Sequence, residues 1–359
     1  MKAASGNLKT PRNYWIDLTR LIMALFVVGV HATRKASWAS GPYQWLTILN
    51  PTLFRAAVPF FFLCTSFFTY QAYLRANRDP KVFFKAALRY FIMYTIWVII
   101  FIPTILKESY FGGNKSASEY AILFIKQFFL DAPISVFWFL RACAYGLVFL
   151  GVLAWLKIKP IYVLPLAIAA YVYGVYGDGW YGLLGDDMKS VYVQYFATFY
   201  RTRNAFFMAI PFLVVGAEIA EVHEDKKPST PLAILAAVGT VLSGLALYYE
   251  AQYVVVGKYA RDYNMYFSLM LLAPLLFIAL INIKAPCRLA GARYWGPLSS
   301  LIYFTHIAWR DFYQDVWPLK TTLGDNLAFK VLFVIVLSAL MSGLILYITR
   351  HWKAKKWLY

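Results

Sequence analysis

The chain has 359 residues, of which 61% are hydrophobic, 19% aromatic and only 14% charged. That balance excludes an ordinary soluble domain and fits a polytopic membrane protein. The net charge of +18 would suit a nucleic-acid binder, but basic residues of membrane proteins collect in cytoplasmic loops, so their placement decides between the two.

Apolar stretches long enough, or nearly so, to cross a bilayer follow one another at about 14–33, 51–74, 88–106, 135–156, 160–176, 204–222, 230–250, 264–283, 294–312 and 326–349. With the N-terminus inside and sides alternating, the inner segments hold 19 of the 35 basic residues and the outer loops about 11. The inner segments are mostly short, so positive charge is denser there. This places both termini in the cytoplasm and makes the bilayer, not nucleic acid, the partner of the basic residues.

The first stretch also has the parts of a cleaved signal peptide: a basic start, an apolar core from Leu21 to Val30 and a Val-His-Ala site. Asp17 and Arg20 just before that core, and the further stretches behind it, favour an uncleaved first helix. The expected fold is all-α: a multi-pass bundle of about ten transmembrane helices, one membrane domain over 1–359 with no separate soluble module. "YGDGWYGLLGDDMKS" (176–190) reads as an outer loop and "EVHEDKKPSTP" (221–231) as a cytoplasmic turn. Cys64, Cys143 and Cys287 show no metal spacing and read as small packing residues.

Within the first stretch, Arg20 and His31 are eleven residues apart and return to nearly the same helical azimuth, roughly 16 Å apart along the axis. Asp17 lies about 40° from His31 by the same geometry. Tyr14 and Trp15 mark the inner interface, so Arg20 is expected toward the cytoplasm and His31 toward the outer leaflet. Ionisable groups in a span are costly against lipid and face the bundle interior or a wet cavity. The blander alternative is an Asp17–Arg20 pair near the interface and a histidine at the headgroups. Further along, Arg55 opens the second span, Trp138 and Arg141 sit in the fourth, Arg201, Arg203 and Asn204 open the sixth, and His306 lies in the ninth. Each alone reads as a snorkelling arginine or a satisfied core histidine. Several basic groups near the outer half, with few acids, point to an anionic ligand or a developing negative charge.

These motifs, in this order, resemble the acyltransferase-3 family of integral membrane acyltransferases. "IDLTRLIMALFVVGVH" resembles its opening signature, an arginine and a histidine separated by ten residues. "FRAAVPFFFLCTSFF" resembles its second span, "FWFLRA" its Trp-Phe-Leu motif, "TRNAFFMAIPFLVVG" the opening of its sixth span and "LSSLIYFTHIA" its late element. The likeness runs from about 14 to 349. Two departures stand out. Thr65-Ser66 replaces the usual Ser-Gly, which suggests a different helix contact. In "FFKAALRYF" the Arg-x-x-Arg pair before the third span keeps Arg89 but has Ala86, with Lys85 adjacent, while Arg75 and Arg78 form another candidate pair.

The resemblance implies an O-acyltransferase of the cell (inner or plasma) membrane. It would move an acyl group, usually acetyl, from cytoplasmic acyl-CoA to a hydroxyl of a surface glycan, such as a polysaccharide, or a lipid-linked saccharide. His31 would be the general base and Arg20 the second catalytic residue. Arg75, Arg78, Lys85 and Arg89 would bind the phosphates of acyl-CoA, and Asp17, Arg55, Trp138, Arg141, Arg203, Asn204 and His306 would line the site. Arg55, Arg141 or Arg203 would face the tetrahedral oxyanion. No metal and no permanently bound cofactor is expected; the acyl-CoA is a substrate. The rival class is a secondary transporter or flippase for an anionic substrate, which would use the same charges but transfer no acyl group.

Overall fold

The computed structural model describes residues 13–33, 44–107, 116–284, 291–316 and 326–359. Among the described residues every regular element is helical and there is no strand. Helix α1 (Tyr14–Ala32) starts where the Asn13 side chain accepts the N–H groups of Trp15 and Ile16 at 3.0 and 3.3 Å, an N-cap in front of an apolar run. A short α2 (Gln44–Leu49) and a 3-10 turn (Leu53–Ala56) lead into α3 (Ala57–Arg75).

α4 (Lys81–Ile100) begins seven residues before the apolar stretch that announced it. Pro80 stands before its first residue, with φ −58°, and Asp79 Oδ1 accepts the Lys81 N–H at 3.0 Å. Lys85 and Arg89, which the sequence assigned to a loop, therefore stand on the first turns of a helix. Beyond a four-residue α5 (Ile102–Ile105), α6 (Ala117–Leu130) occupies what the sequence left as outer loop. A Ser116–Glu119 capping box starts it. The hydroxyls of Tyr94 and Tyr145 tie it down by donating to its Phe128 and Phe129 carbonyls at 2.8 and 3.1 Å.

The chain continues through α7 (Trp138–Trp155), α8 (Pro160–Tyr176) and α9 (Asp186–Phe199), the last again outside the expected spans. A single π turn (Ala205–Ala209) leads into α10 (Ile210–Val222), followed by α11 (Thr230–Val256) and α12 (Leu269–Ile281). Then come α13 (Ala292–Val316) and α14 (Leu327–Ile348), with 3-10 turns at Thr349–His351 and Lys353–Trp357.

A helix stands at each of the expected stretches. Among the described residues, seven helical stretches have the length and composition to cross a membrane: Tyr14–Ala32, Leu53–Arg75, Lys81–Ile100, Ala117–Trp155, Ala205–Val222, Thr230–Val256 and Leu327–His351. α8 and α12 are apolar but shorter, and α13 carries Arg293, Arg310, Asp311 and Asp315. α3 is the central element, packed against α1, α4, α10 and α12. At the periphery, α11 and α14 turn large apolar side chains outward, Leu235 at 69% and Leu340 at 64% exposure, as lipid-facing helices do.

The α3–α10 contact explains the Thr65-Ser66 departure. Ser66 Oγ donates to the Leu213 carbonyl at 2.5 Å. A Cβ on Gly216 of α10 would lie 2.6 Å from Ser66 Oγ and 2.8 Å from the Leu63 carbonyl. The contact is tight after all, because the glycine that close helix approach requires is supplied by α10.

Candidate active site

Two cavities lie along α1 and share one wall residue, Tyr303. The larger has a volume of about 770 Å³ and opens between α3, α4, α13 and the last residues of the chain. Its floor is apolar and hydroxylic: Phe61, Cys64, Thr65, Tyr90 and Tyr303. Its basic residues are Arg20, Lys85, Arg89, Lys355 and Lys356, the last four exposed at the mouth. No carboxylate side chain among the described residues lines it. The smaller void, about 40 Å³, is room for a few waters. It is lined by His31, Arg55, Trp138, Arg203, Asn264 and Tyr303 among others.

The stripe on α1 thus contributes one residue to each compartment, Arg20 to the larger and His31 to the smaller. Arg20 Nη1 is 3.3 Å from Asp17 Oδ1, so the interfacial pair of the blander reading is present and Arg20 is on the cavity wall as well. Asp17 is buried behind it. The ring of His31 packs against His306 on α13, centroids 5.3 Å apart. His306 is fully buried. Its Nδ1 lies 2.7 Å from the Tyr303 carbonyl and 3.2 Å from that of Ile302. Two acceptors there make Nδ1 the protonated nitrogen and leave the lone pair on Nε2.

Around the small void the arginines are held by amide groups. Arg55 donates from Nε and Nη2 to the main-chain and side-chain oxygens of Asn50, at 2.9 and 2.7 Å. Asn50 in turn donates to the Val30 carbonyl at 3.1 Å, next to His31. Arg55 Nη1 and Arg203 Nη1 converge on a single atom, Asn264 Oδ1, at 2.9 and 3.3 Å. Asn264 is oriented from behind by buried Asp178, which accepts from the Asn264 and Met265 N–H groups at 2.7 and 3.1 Å and from Asn264 Nδ2 at 3.1 Å. Burial and then the Asp262 charge raise the pKa of Asp178, and the donated bonds hold it back. The Arg203 guanidinium lies 4.9 Å above the Trp138 ring, a cation–π arrangement.

Other residues singled out from the sequence stand elsewhere. Arg141 is buried but lines neither cavity; its guanidinium is 5.7 Å from the ring of Tyr145, its i+4 neighbour on α7. Asn204 is a cap: its Oδ1 accepts the Phe206 and Phe207 N–H groups at 2.9 and 3.2 Å, and its Nδ2 is taken by the Tyr195 hydroxyl and the Arg201 carbonyl. Arg75 and Arg78 lie outside the large cavity. Arg78 is engaged by Glu221 and Glu224, both at 3.0 Å, and the bond to Glu221 raises its pKa. Cys64 and Cys143 are buried; Cys287 lies outside the described residues. Sequence reading missed Asn50, Asp178 and Asn264, which occupy loops or short turns with no periodicity to flag them, and it quoted Tyr303 without assigning it a role.

A family model described as an acyltransferase domain matches residues 13–351. The chain belongs to the acyltransferase-3 family. Among curated proteins, the chain is similar to an "Amino-acid racemase" of Enterococcus faecalis, 25% identical across 95% of this chain and 47% of that protein. It is also similar to a "Serine/alanine racemase" of Enterococcus gallinarum, 24% identical across 91% of this chain and 45% of the relative. The chain therefore spans about half the length of the curated relatives it matches. No solved structure matches it. Family membership and the seven apolar helical stretches make this a multi-pass membrane protein with an acyltransferase domain.

Proposed function

We propose that this acyltransferase-3 protein takes an acyl group from a cytoplasmic acyl-CoA in the larger cavity and passes it to a hydroxyl presented at the smaller one, on the extracytoplasmic side. A surface glycan or lipid-linked saccharide is the acceptor class, and acetyl the expected group. The reading carries with it about ten membrane-crossing helices and both ends of the chain in the cytoplasm. The observation that supports it most is the shared wall at Tyr303, with a cation-lined chamber on one side and a void lined by His31, Arg55 and Arg203 on the other.

In this reading the phosphates of the donor sit at the basic mouth and the flexible pantetheine arm runs inward, bringing the thioester toward Tyr303. His31 accepts the proton of the acceptor hydroxyl, whose oxygen attacks the thioester carbonyl. Arg55 and Arg203 stabilise the negative charge on the tetrahedral intermediate, fixed in place by Asn50 and Asn264 so that they need no rearrangement as charge develops. Collapse breaks the carbon–sulfur bond, and the imidazolium returns the proton to the departing thiolate. Arg20 stands along the path of the arm.

The racemase names belong to relatives of which this chain matches under half. A transporter for an anion would also use two compartments separated by a narrow neck, and donor consumption separates the readings. Purified protein in nanodiscs is expected to release CoA thiol from acetyl-CoA when glycan acceptor is supplied. His31→Ala is expected to insert and melt as the wild type but to lose at least about 100-fold in rate, the lower end of what a general base contributes. A His31→Ala protein that acylates at the wild-type rate removes His31 from the mechanism; wild-type protein that never consumes acetyl-CoA favours transport.

A further inference from the structure

The larger cavity has a wall that neither the motifs nor the family match explain. The family model stops at residue 351, yet Lys355, Lys356 and Tyr359 line the chamber. The segment is held there by polar contacts. Arg89 Nε donates to the Lys356 carbonyl at 2.9 Å and Arg89 Nη2 to the main-chain oxygen of Tyr359 at 3.0 Å. Trp97 Nε1 donates to the Leu358 carbonyl at 3.1 Å, and the Tyr359 hydroxyl is 2.9 Å from Thr349 Oγ1. α4 thus fixes the backbone of this segment across the mouth, and Thr349, just past α14, holds the Tyr359 side chain.

The consequence is electrostatic. Arg89 spends two of its donor nitrogens on main-chain oxygens, while the segment it holds brings Lys355 and Lys356 to the rim beside Lys85. Lys355 Nζ donates to a carbonyl, that of Arg350 at 2.9 Å, a neutral acceptor that an anionic phosphate oxygen outcompetes. Lys356 Nζ lies 5.0 Å from the Trp357 ring. Exposed ammonium groups at a rim that no Asp or Glu side chain among the described residues lines suit a polyanion.

We propose that segment Lys355–Tyr359 is part of the donor site, in which Lys355 and Lys356 bind the phosphates of the CoA nucleotide and Arg89 is a positioning residue that holds the segment in place. The proposal rests on the acyl-CoA reading above and reassigns Arg89 within it.

The test uses the full chain in nanodiscs, with CoA and, as a phosphate-free probe, pantetheine, both titrated calorimetrically. Lys355→Gln/Lys356→Gln is expected to weaken CoA binding by about tenfold or more, the loss of two charge-assisted contacts, and to leave pantetheine binding unchanged. Lys353→Gln, at a position outside the cavity lining, is expected to bind CoA as the wild type does. Arg89→Lys keeps the charge but loses the planar fork whose two nitrogens span the two carbonyls. It should weaken CoA about as much as the double lysine change and add little when combined with it. Wild-type affinity in the double lysine variant, or in Arg89→Lys, overturns the proposal, as do losses that multiply in the triple variant, since Arg89 would then contact the donor independently. If the wild-type protein binds no CoA, the donor reading falls and this proposal with it; if it binds CoA and the double lysine variant binds equally well, only this proposal falls.

Discussion

Asn264 governs the small void through one atom. Its Oδ1 accepts from both Arg55 and Arg203, and it can face them only because Asp178 takes its amide protons from the other side. Asp178→Asn would still accept the two main-chain N–H groups but would oppose one amide NH₂ to another. The Asn264 side chain would then turn over and present donors to two cations. The mismatch is worth about 1–3 kcal/mol, so Asp178→Asn is expected to lower kcat for acyl transfer by about tenfold or more while leaving the Kd for CoA unchanged. Equal kcat in the variant would show that the orientation of Asn264 is irrelevant to the reaction. Arg141 teaches the opposite lesson: a buried arginine in a quoted motif lies near Tyr145 and lines neither cavity, and Arg141→Lys should therefore change kcat less than Arg203→Lys, measured side by side.

The decisive contact at the level of elements is that between α3 and α10, since α3 carries Phe61, Cys64 and Thr65 into the large cavity. Gly216 has no room for a side chain, and one of the atoms in the way is a backbone oxygen, the Leu63 carbonyl. Gly216→Val is expected to cost about 1–3 kcal/mol, the usual penalty of overpacking, seen as a lower melting temperature in detergent. Ser66→Ala should not rescue it, because removing the hydroxyl leaves the carbonyl where it is. A double variant that melts as the wild type would show that only the hydroxyl was in the way. α4 makes a related point. Its early start turns Lys85 and Arg89 from loop residues into helix residues one turn apart, with one aimed at the mouth and the other fastened to the end of the chain.

Across the whole molecule, the two cavities sit toward opposite ends of α1, so the proposed route requires the two ends to face different compartments. Orientation can be read directly. In a background without native cysteines, Lys227→Cys and Lys189→Cys lie in the turn before α11 and on α9. An impermeant maleimide added to intact cells is expected to label Lys189→Cys and to reach Lys227→Cys only after lysis. The reverse pattern would place the basic mouth outside, away from cytoplasmic acyl-CoA, and would defeat the proposed donor route.

The sequence by itself determined the membrane class, the family and the stripe on the first helix, because each rests on local quantities: apolar length, ordered motifs and an azimuth that follows from 100° per residue. Arg20 and His31 were placed along one wall by that arithmetic alone, and the structure puts them in two compartments that share Tyr303 as a wall residue. The extra helices α6 and α9 escaped because neither is a span-length apolar run; α6 is announced by a capping box instead of by hydropathy. Only tertiary structure could decide which arginines share a void, why Gly216 is needed, and that residues 178 and 264 cooperate. Those outcomes depend on side chains from segments far apart in sequence satisfying each other's hydrogen bonds inside a low-dielectric bundle, where an unmet polar group is costly, and no periodicity along one chain encodes that.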